Sequence, residues 1–158
     1  MDLRDVKEFC IDTSKYIITI FVVIFIIVYV ASVQQVVGSS MSPTFKNQDI
    51  LILNKMSNTY ERFDIVVINY KSSKLIKRII GLPNETIEYN NNQLYINGKR
   101  IEENYEFTNT EDFTYTTKNG EYFVLGDNRS VSFDGRLLGP VDTVVGKTWF
   151  FFKKAWFK

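Results

Sequence analysis

Thr86-Ile87-Glu88-Tyr89-Asn90-Asn91-Asn92-Gln93-Leu94-Tyr95-Ile96-Asn97-Gly98-Lys99-Arg100-Ile101 decides the fold class. Two short strand-like runs, Thr86 to Tyr89 and Gln93 to Ile96, flank three asparagines. Asn97-Gly98 then supplies a two-residue hairpin turn, because both residues tolerate the positive φ such a turn demands. Asn119-Gly120 repeats the signal before Glu121 to Leu125. Upstream, Asp49 to Leu53, Asp64 to Tyr70 and Leu75 to Ile80 are short runs suited to buried strands. The last ends at Gly81-Leu82-Pro83-Asn84, a turn signal. Isoleucine, valine and threonine dominate the apolar positions, which favours strands. These spacings predict a mainly β domain built on antiparallel sheets. Glu102 to Thr117 has weak periodicity and reads as a long loop or irregular hairpin.

The N-terminal fifth follows a different rule. Residues 1–15 are polar and mixed in charge, whereas Tyr16 to Val33 carries no charged residue. Eighteen helical residues span roughly 27 Å, close to the hydrocarbon thickness of a bilayer. The run is longer than a signal-peptide core and apolar all round, so the expectation is one permanent transmembrane helix over 16–33. Arg4, Lys7 and Lys15 favour a cytoplasmic tail over 1–15, which puts 34–158 on the extracytoplasmic face of the cell membrane. At the other end, Phe150-Phe151-Phe152 cannot all face one side of a strand. Trp149 to Phe152 suits a core strand or the membrane interface equally. Trp156 to Lys158 suits the interface better, with lysines meeting lipid phosphates.

Composition removes several function classes. The chain of 158 residues holds 19 Lys+Arg against 18 Asp+Glu, which gives no electrostatic case for nucleic acid. Its single cysteine, Cys10, can form neither an intrachain disulfide nor a cysteine-rich metal cluster. It contains no histidine. Ser-His-Asp and Cys-His hydrolases and His-ligated metals are therefore excluded. A serine nucleophile here must rely on a lysine or a carboxylate.

Ser39-Ser40-Met41-Ser42-Pro43-Thr44-Phe45 follows the apolar run and Gly38. Its serines fit a turn, a helix cap or a nucleophile. Lys77 lies inside the apolar strand Leu75 to Ile80, beside Arg78. Successive strand side chains alternate, so one cation faces inward. Lysine is the better choice, because burial can neutralise it while arginine stays charged. A neutral lysine at pH 7 needs a pKa near roughly 7–8, which asks for about 3–5 kcal/mol of desolvation. It could then take the proton of Ser40. Gly126 to Arg136 gathers glycines, hydroxyls and ions, with Asp127/Arg129 and Asp134/Arg136 repeating an i, i+2 charge pair around Ser132. That pattern suits a rigid loop, with Ser132 able to hydrogen-bond the lysine amine.

Taken together, these stretches resemble the type I signal peptidases, membrane-bound Ser-Lys proteases, in their short single-anchor Gram-positive form. The matching pieces are the anchor with Ser40-Met41-Ser42-Pro43-Thr44, then Asp64-Ile65-Val66-Val67, then Lys77-Arg78-Ile79-Ile80-Gly81-Leu82-Pro83. Gly126-Asp127-Asn128-Arg129, Ser132, Asp134 and Arg136 complete them, in the family's order. The resemblance implies Ser40 as nucleophile, Lys77 as general base and Ser132 as the residue orienting it. It implies a supporting Asp134–Arg136 salt bridge, with Asp127 and Arg129 bracing the loop. Met41 and Ile76 would line a small pocket for substrates of the Ala-x-Ala kind. No metal or cofactor is expected. The implied partners are signal peptides of secreted preproteins, the lipid bilayer and the translocation machinery. Two positions depart from the family. Gly135 stands where many relatives have serine. Gly38 stands where some carry an oxyanion-binding hydroxyl, which leaves the Ser40 N–H as the main donor. A tethered, catalytically silent β-domain that binds exported or envelope proteins is the alternative from another class.

Overall fold

The computed structural model describes residues 2–154. The interfacial reading of Trp156 to Lys158 lies outside the described residues. Helix α1 (Leu3–Phe25) continues through a π-helical turn, Ile26–Val30, directly into strand β1 (Ala31–Gln35). Then follow β2 (Ile50–Asn54), β3 (Ile65–Tyr70), β4 (Ser73–Gly81), β5 (Thr86–Asn90), β6 (Gln93–Ile96), β7 (Lys99–Ile101), β8 (Phe113–Thr116) and β9 (Phe123–Leu125). The short helix α2 (Gly135–Leu138) and β10 (Val144–Phe152) close the chain.

Leu3–Val30 is long and apolar enough to cross a membrane, and α1 buries none of its residues in the protein. The helix starts well before the apolar run. Its first turn is held by the Asp5 carboxylate, which accepts the Asp2 N–H at 3.0 Å, and a Lys15–Asp12 ion pair at 2.8 Å follows. It ends three residues before Val33, because Ala31, Ser32 and Val33 pair with Asn54, Leu53 and Ile52 of β2. Lys55 fastens this junction: its N–H donates to the Val30 carbonyl at 2.9 Å, and its ammonium donates to that of Val28.

Among the described residues the strands form two antiparallel sheets. One has six strands in the order β1-β2-β10-β3-β4-β9, the other four in the order β7-β6-β5-β8. The hairpin turn at Asn97-Gly98 forms with both residues at positive φ, 51° and 76°. Glu102 to Thr117 contributes a strand after all. Phe113–Thr116 pairs with Thr86–Tyr89, and burial of Phe113 against Tyr89 supplies a tertiary reason that a short window does not reveal.

β3 shows how the large sheet is covered on both faces. Ile65 and Val67 pack with Met41, Phe45 and Leu53, while Val66 and Ile68 pack with Ile79 and Val124. A third cluster, including Ile80, Ile87, Leu94 and Phe123, joins the two sheets. This double cover corrects one expectation: Lys77 and Arg78 face opposite sides, yet both are buried, at 2% and 6% exposure. A register shift in β10 between Thr148 and Phe150 breaks its alternation. Trp149 and Phe150 stay exposed, whereas Phe151 also packs edge-on against Phe45 at 5.3 Å.

Candidate active site

The turn bearing Ser40 is pinned on both sides. Met41 and Phe45 are buried, and the Phe45 N–H donates to the Met41 carbonyl at 2.9 Å. The Ser42 N–H donates to the Ser39 carbonyl at 3.0 Å. From across the cleft, the Asn128 N–H donates to the Ser40 carbonyl at 3.0 Å, and its side-chain amide to the Ser39 carbonyl at 3.2 Å. The Ser40 N–H makes no hydrogen bond among the described residues. Gly38, at φ +92°, has its own N–H occupied by Asn47 Oδ1 at 3.1 Å.

Strand β4 carries Lys77 to this turn. Lys77 Nζ lies 3.0 Å from Ser40 Oγ. Burial disfavours the charged amine and lowers its pKa from 10.5 to about 8, although Asp134 and Asp127 pull upward. That drop corresponds to about 3 kcal/mol against the ammonium form. It is the desolvation that a neutral base at this position requires. Ser40, Met41, Ile76 and Lys77 line a cavity of about 90 Å³, closed on its far side by Gln34 to Val37 of β1 and its extension. Three strands separate β1 from β4 in the sheet order, so the sheet curls until β1, at its edge, faces β4 across this cleft.

The Gly126 to Arg136 loop supports the pair, but not wholly as expected. Asp134 and Arg136 do form an ion pair, at 2.9 Å, and the Asp134 carboxylate also accepts the Gly126 N–H at 3.0 Å. Asp127 and Arg129 do not pair. Asp127 takes the Arg78 guanidinium in a fork at 2.8 and 2.6 Å and accepts the Thr44 hydroxyl at 2.5 Å. Buried Arg78 needs a carboxylate, and Asp127 is the one within reach. Arg129 turns to the other sheet instead. It meets Glu103 at 2.8 Å and the hydroxyls of Tyr89 at 2.8 Å and Tyr105 at 3.0 Å. Burial opposes its charge, but Tyr89, Tyr105 and Glu103 outweigh that and raise its pKa.

Ser132 also departs from expectation. Its Oγ is buried without a hydrogen-bond partner, so the bond to the Lys77 amine is not made. It packs against Gly126 instead. A Cβ on Gly126 would lie 2.2 Å from Ser132 Oγ and 2.5 Å from the Ser40 carbonyl. Only glycine allows the loop this close to the serine turn. Gly135 is equally constrained, since a Cβ there would meet the Val124 carbonyl at 2.7 Å. The residue that stands in place of a serine therefore has a packing reason in this chain.

Sequence reasoning placed Thr44, Arg78, Gly126 and Asn128 in the matching stretches but gave none of them a role in this arrangement. The available signal was an arginine inside an apolar strand, which demands a buried acid elsewhere in the chain. Among the described residues no group of carboxylates and thiols could hold a metal ion.

Known proteins share this arrangement of chain. Signal peptidase I V of Bacillus subtilis (strain 168) is 40% identical over 128 residues, covering 68% of this chain and 76% of that protein. Signal peptidase IB of Staphylococcus aureus (strain Mu50) is 32% identical over 159 residues, covering 84% of this chain and 83% of that protein. The crystal structure of a signal peptidase I from Enterococcus faecalis superposes with a TM-score of 0.52 at 37% identity, covering 57% of this chain and 97% of that one. Residues 10–153 match the model of the family described as signal peptidase, peptidase S26. With that match running from the apolar helix to the last strand, the chain belongs to the signal peptidase family, peptidase S26.

Proposed function

We propose that the chain is a membrane-anchored serine endopeptidase that removes N-terminal signal peptides from exported preproteins, with Ser40 as nucleophile and Lys77 as general base. One observation carries the assignment of roles: a lysine shut away from water, its pKa near 8, within 3.0 Å of a serine hydroxyl. A neutral amine takes the Ser40 proton as Oγ attacks the scissile carbonyl. The resulting ammonium protonates the leaving amine, and water then resolves the acyl-enzyme. The unoccupied Ser40 N–H is positioned to serve the oxyanion. Met41 and Ile76 restrict the adjoining cavity to small side chains. Ser132, Asp134 and Arg136 shape the lysine's surroundings, while Asp127 holds Arg78 and Thr44, and Arg129 ties the loop to the second sheet.

β9 pairs with β4 only at Arg78, Ile79 and Gly81, which leaves Ser73 to Lys77 with a bare backbone edge among the described residues. An extended substrate fits there as a guest strand between β4 and β1, completing the curled sheet. Leu3–Val30 anchors the chain. Arg4, Lys7 and Lys15 favour a cytoplasmic N-terminus and an extracytoplasmic catalytic domain, where the translocation machinery delivers its product. Exposed Trp149 and Phe150 suit the lipid interface.

The test is processing of a preprotein by the detergent-solubilised chain. Ser40→Ala and Lys77→Ala each abolish cleavage while leaving the fold intact by circular dichroism. Cleavage unchanged in either variant removes the role assigned to that residue. No observation favours a catalytically silent binding domain.

A further inference from the structure

The mouth of the cleft carries a charge that the reaction does not use. Lys74 lines the same cavity as Ser40, Ile76 and Lys77. It lies two residues from Ile76 on β4, so the two side chains share a face of the strand. Its side chain is exposed and makes no ion pair or hydrogen bond among the described residues. Across β3 it faces Asn69, which is uncharged. The opposite wall, Gln34 to Val37, is uncharged as well, and no acidic residue lines the cavity. The amine of Lys77 is half neutral near pH 8 and engaged with Ser40. Lys74 is thus the exposed basic side chain at the mouth of this cleft.

The direction of the substrate follows from the bare edge. Ile76 and Met41 flank the small cavity beside the serine, so the residue before the scissile bond sits there. Its predecessors then run along β4 from Lys77 toward Ser73. In an extended chain the first, third and fifth residues before the scissile bond point to one face. The third passes Lys74 and is itself small in an Ala-x-Ala substrate. Two residues advance roughly 7 Å, within the span of a lysine side chain leaning along the strand. The fifth residue is therefore the first whose side chain can meet the ammonium.

We infer that Lys74 is a specificity-determining residue, a charge filter that favours an acidic side chain at the fifth position before the scissile bond and rejects lysine or arginine there. The inference rests on the proteolytic reading above. It adds a repulsive element to a cleft otherwise selective by size alone, and discrimination by repulsion needs no deep pocket.

The experiment uses the full chain in a nonionic detergent and three peptides with a common Ala-x-Ala site, bearing Glu, Gln or Lys at the fifth position. In the wild type, kcat/KM falls in the order Glu, Gln, Lys, with roughly a three- to tenfold spread expected of an exposed charge. The spread shrinks in 0.5 M salt, where the screening length is about 4 Å. Lys74→Glu reverses the order, and Lys74→Gln flattens it. The Gln peptide reports the chemistry separately: its cleavage by wild type and not by Ser40→Ala upholds the proteolytic reading whatever the other two show. An unchanged order in Lys74→Glu, or equal rates for the three peptides in the wild type, overturns the charge filter alone.

Discussion

Lys77 and Arg78 are neighbours in sequence, and both are buried, yet only Arg78 is given a carboxylate. Its guanidinium closes on Asp127 at 2.6 Å, and the ring of Tyr105 lies 3.8 Å from its carbon. Lys77 has a serine hydroxyl for its hydrogen bond and no ion pair among the described residues. Burial weakens the charge of Lys77, which has no carboxylate paired with it to offset the lost hydration.

The rate should follow the neutral form of Lys77. With a pKa of about 8, about a tenth of the amine is neutral at pH 7 and about nine-tenths at pH 9. The expected kcat/KM on a peptide substrate rises roughly tenfold across that interval and flattens above it. A profile flat from pH 6 to 9 would contradict the assignment of Lys77 as base.

The same shift makes Lys77 a cost to the fold. Between pH 8 and 10.5 the unfolded chain binds more protons than the native one, so this group's contribution to stability rises with pH across that window. Below about pH 8 both states hold the proton and the whole penalty remains. Lys77→Met should therefore stabilise the domain by up to about 3 kcal/mol at pH 7, with the advantage fading toward pH 10.5. Urea unfolding of both proteins at pH 7, 9 and 10 checks the magnitude and the trend.

Arg78 and Asp127 should show the opposite behaviour. Asp127→Leu or Arg78→Met alone strands one charge in the interior and is expected to cost about 3–5 kcal/mol. The double variant Arg78→Met with Asp127→Leu should recover most of that loss, because no unpaired charge is left. Thermal unfolding of the three variants gives the coupling directly, and additive losses would rule out the pairing as described.

Gly126→Ala should impair catalysis more than it impairs folding. The added methyl group would press on Ser132 Oγ and the Ser40 carbonyl. About 1–3 kcal/mol of destabilisation is expected from such overpacking. A shift of the serine turn by even half an ångström should reduce kcat by roughly tenfold or more. Gly98→Asn is the control. It occupies open space at φ +76°, a conformation asparagine tolerates, and should leave both quantities nearly unchanged.

Much of this was legible in the amino-acid order. The Asn97-Gly98 turn dictated an antiparallel hairpin through local backbone preference alone. The missing imidazole pointed to Lys77, because the chemistry admits few substitutes. Partners across the fold were not legible. Asp127 and Arg129 are two residues apart, a spacing that suggested a local pair, but each is claimed by a distant group. Arg78 draws the first, and Glu103 with two tyrosines draws the second. β8 was hidden for the same reason, since its strand character comes from Tyr89 and Phe123 packing on it rather than from its own pattern.

Val30 is the last helical residue and Ala31 the first of β1, with Lys55 bolting the two together. No slack connector lies between the lipid-borne segment and the sheet whose end carries the serine turn. A tilt of the helix is therefore passed to β1, one wall of the cleft, with no hinge between them to absorb it.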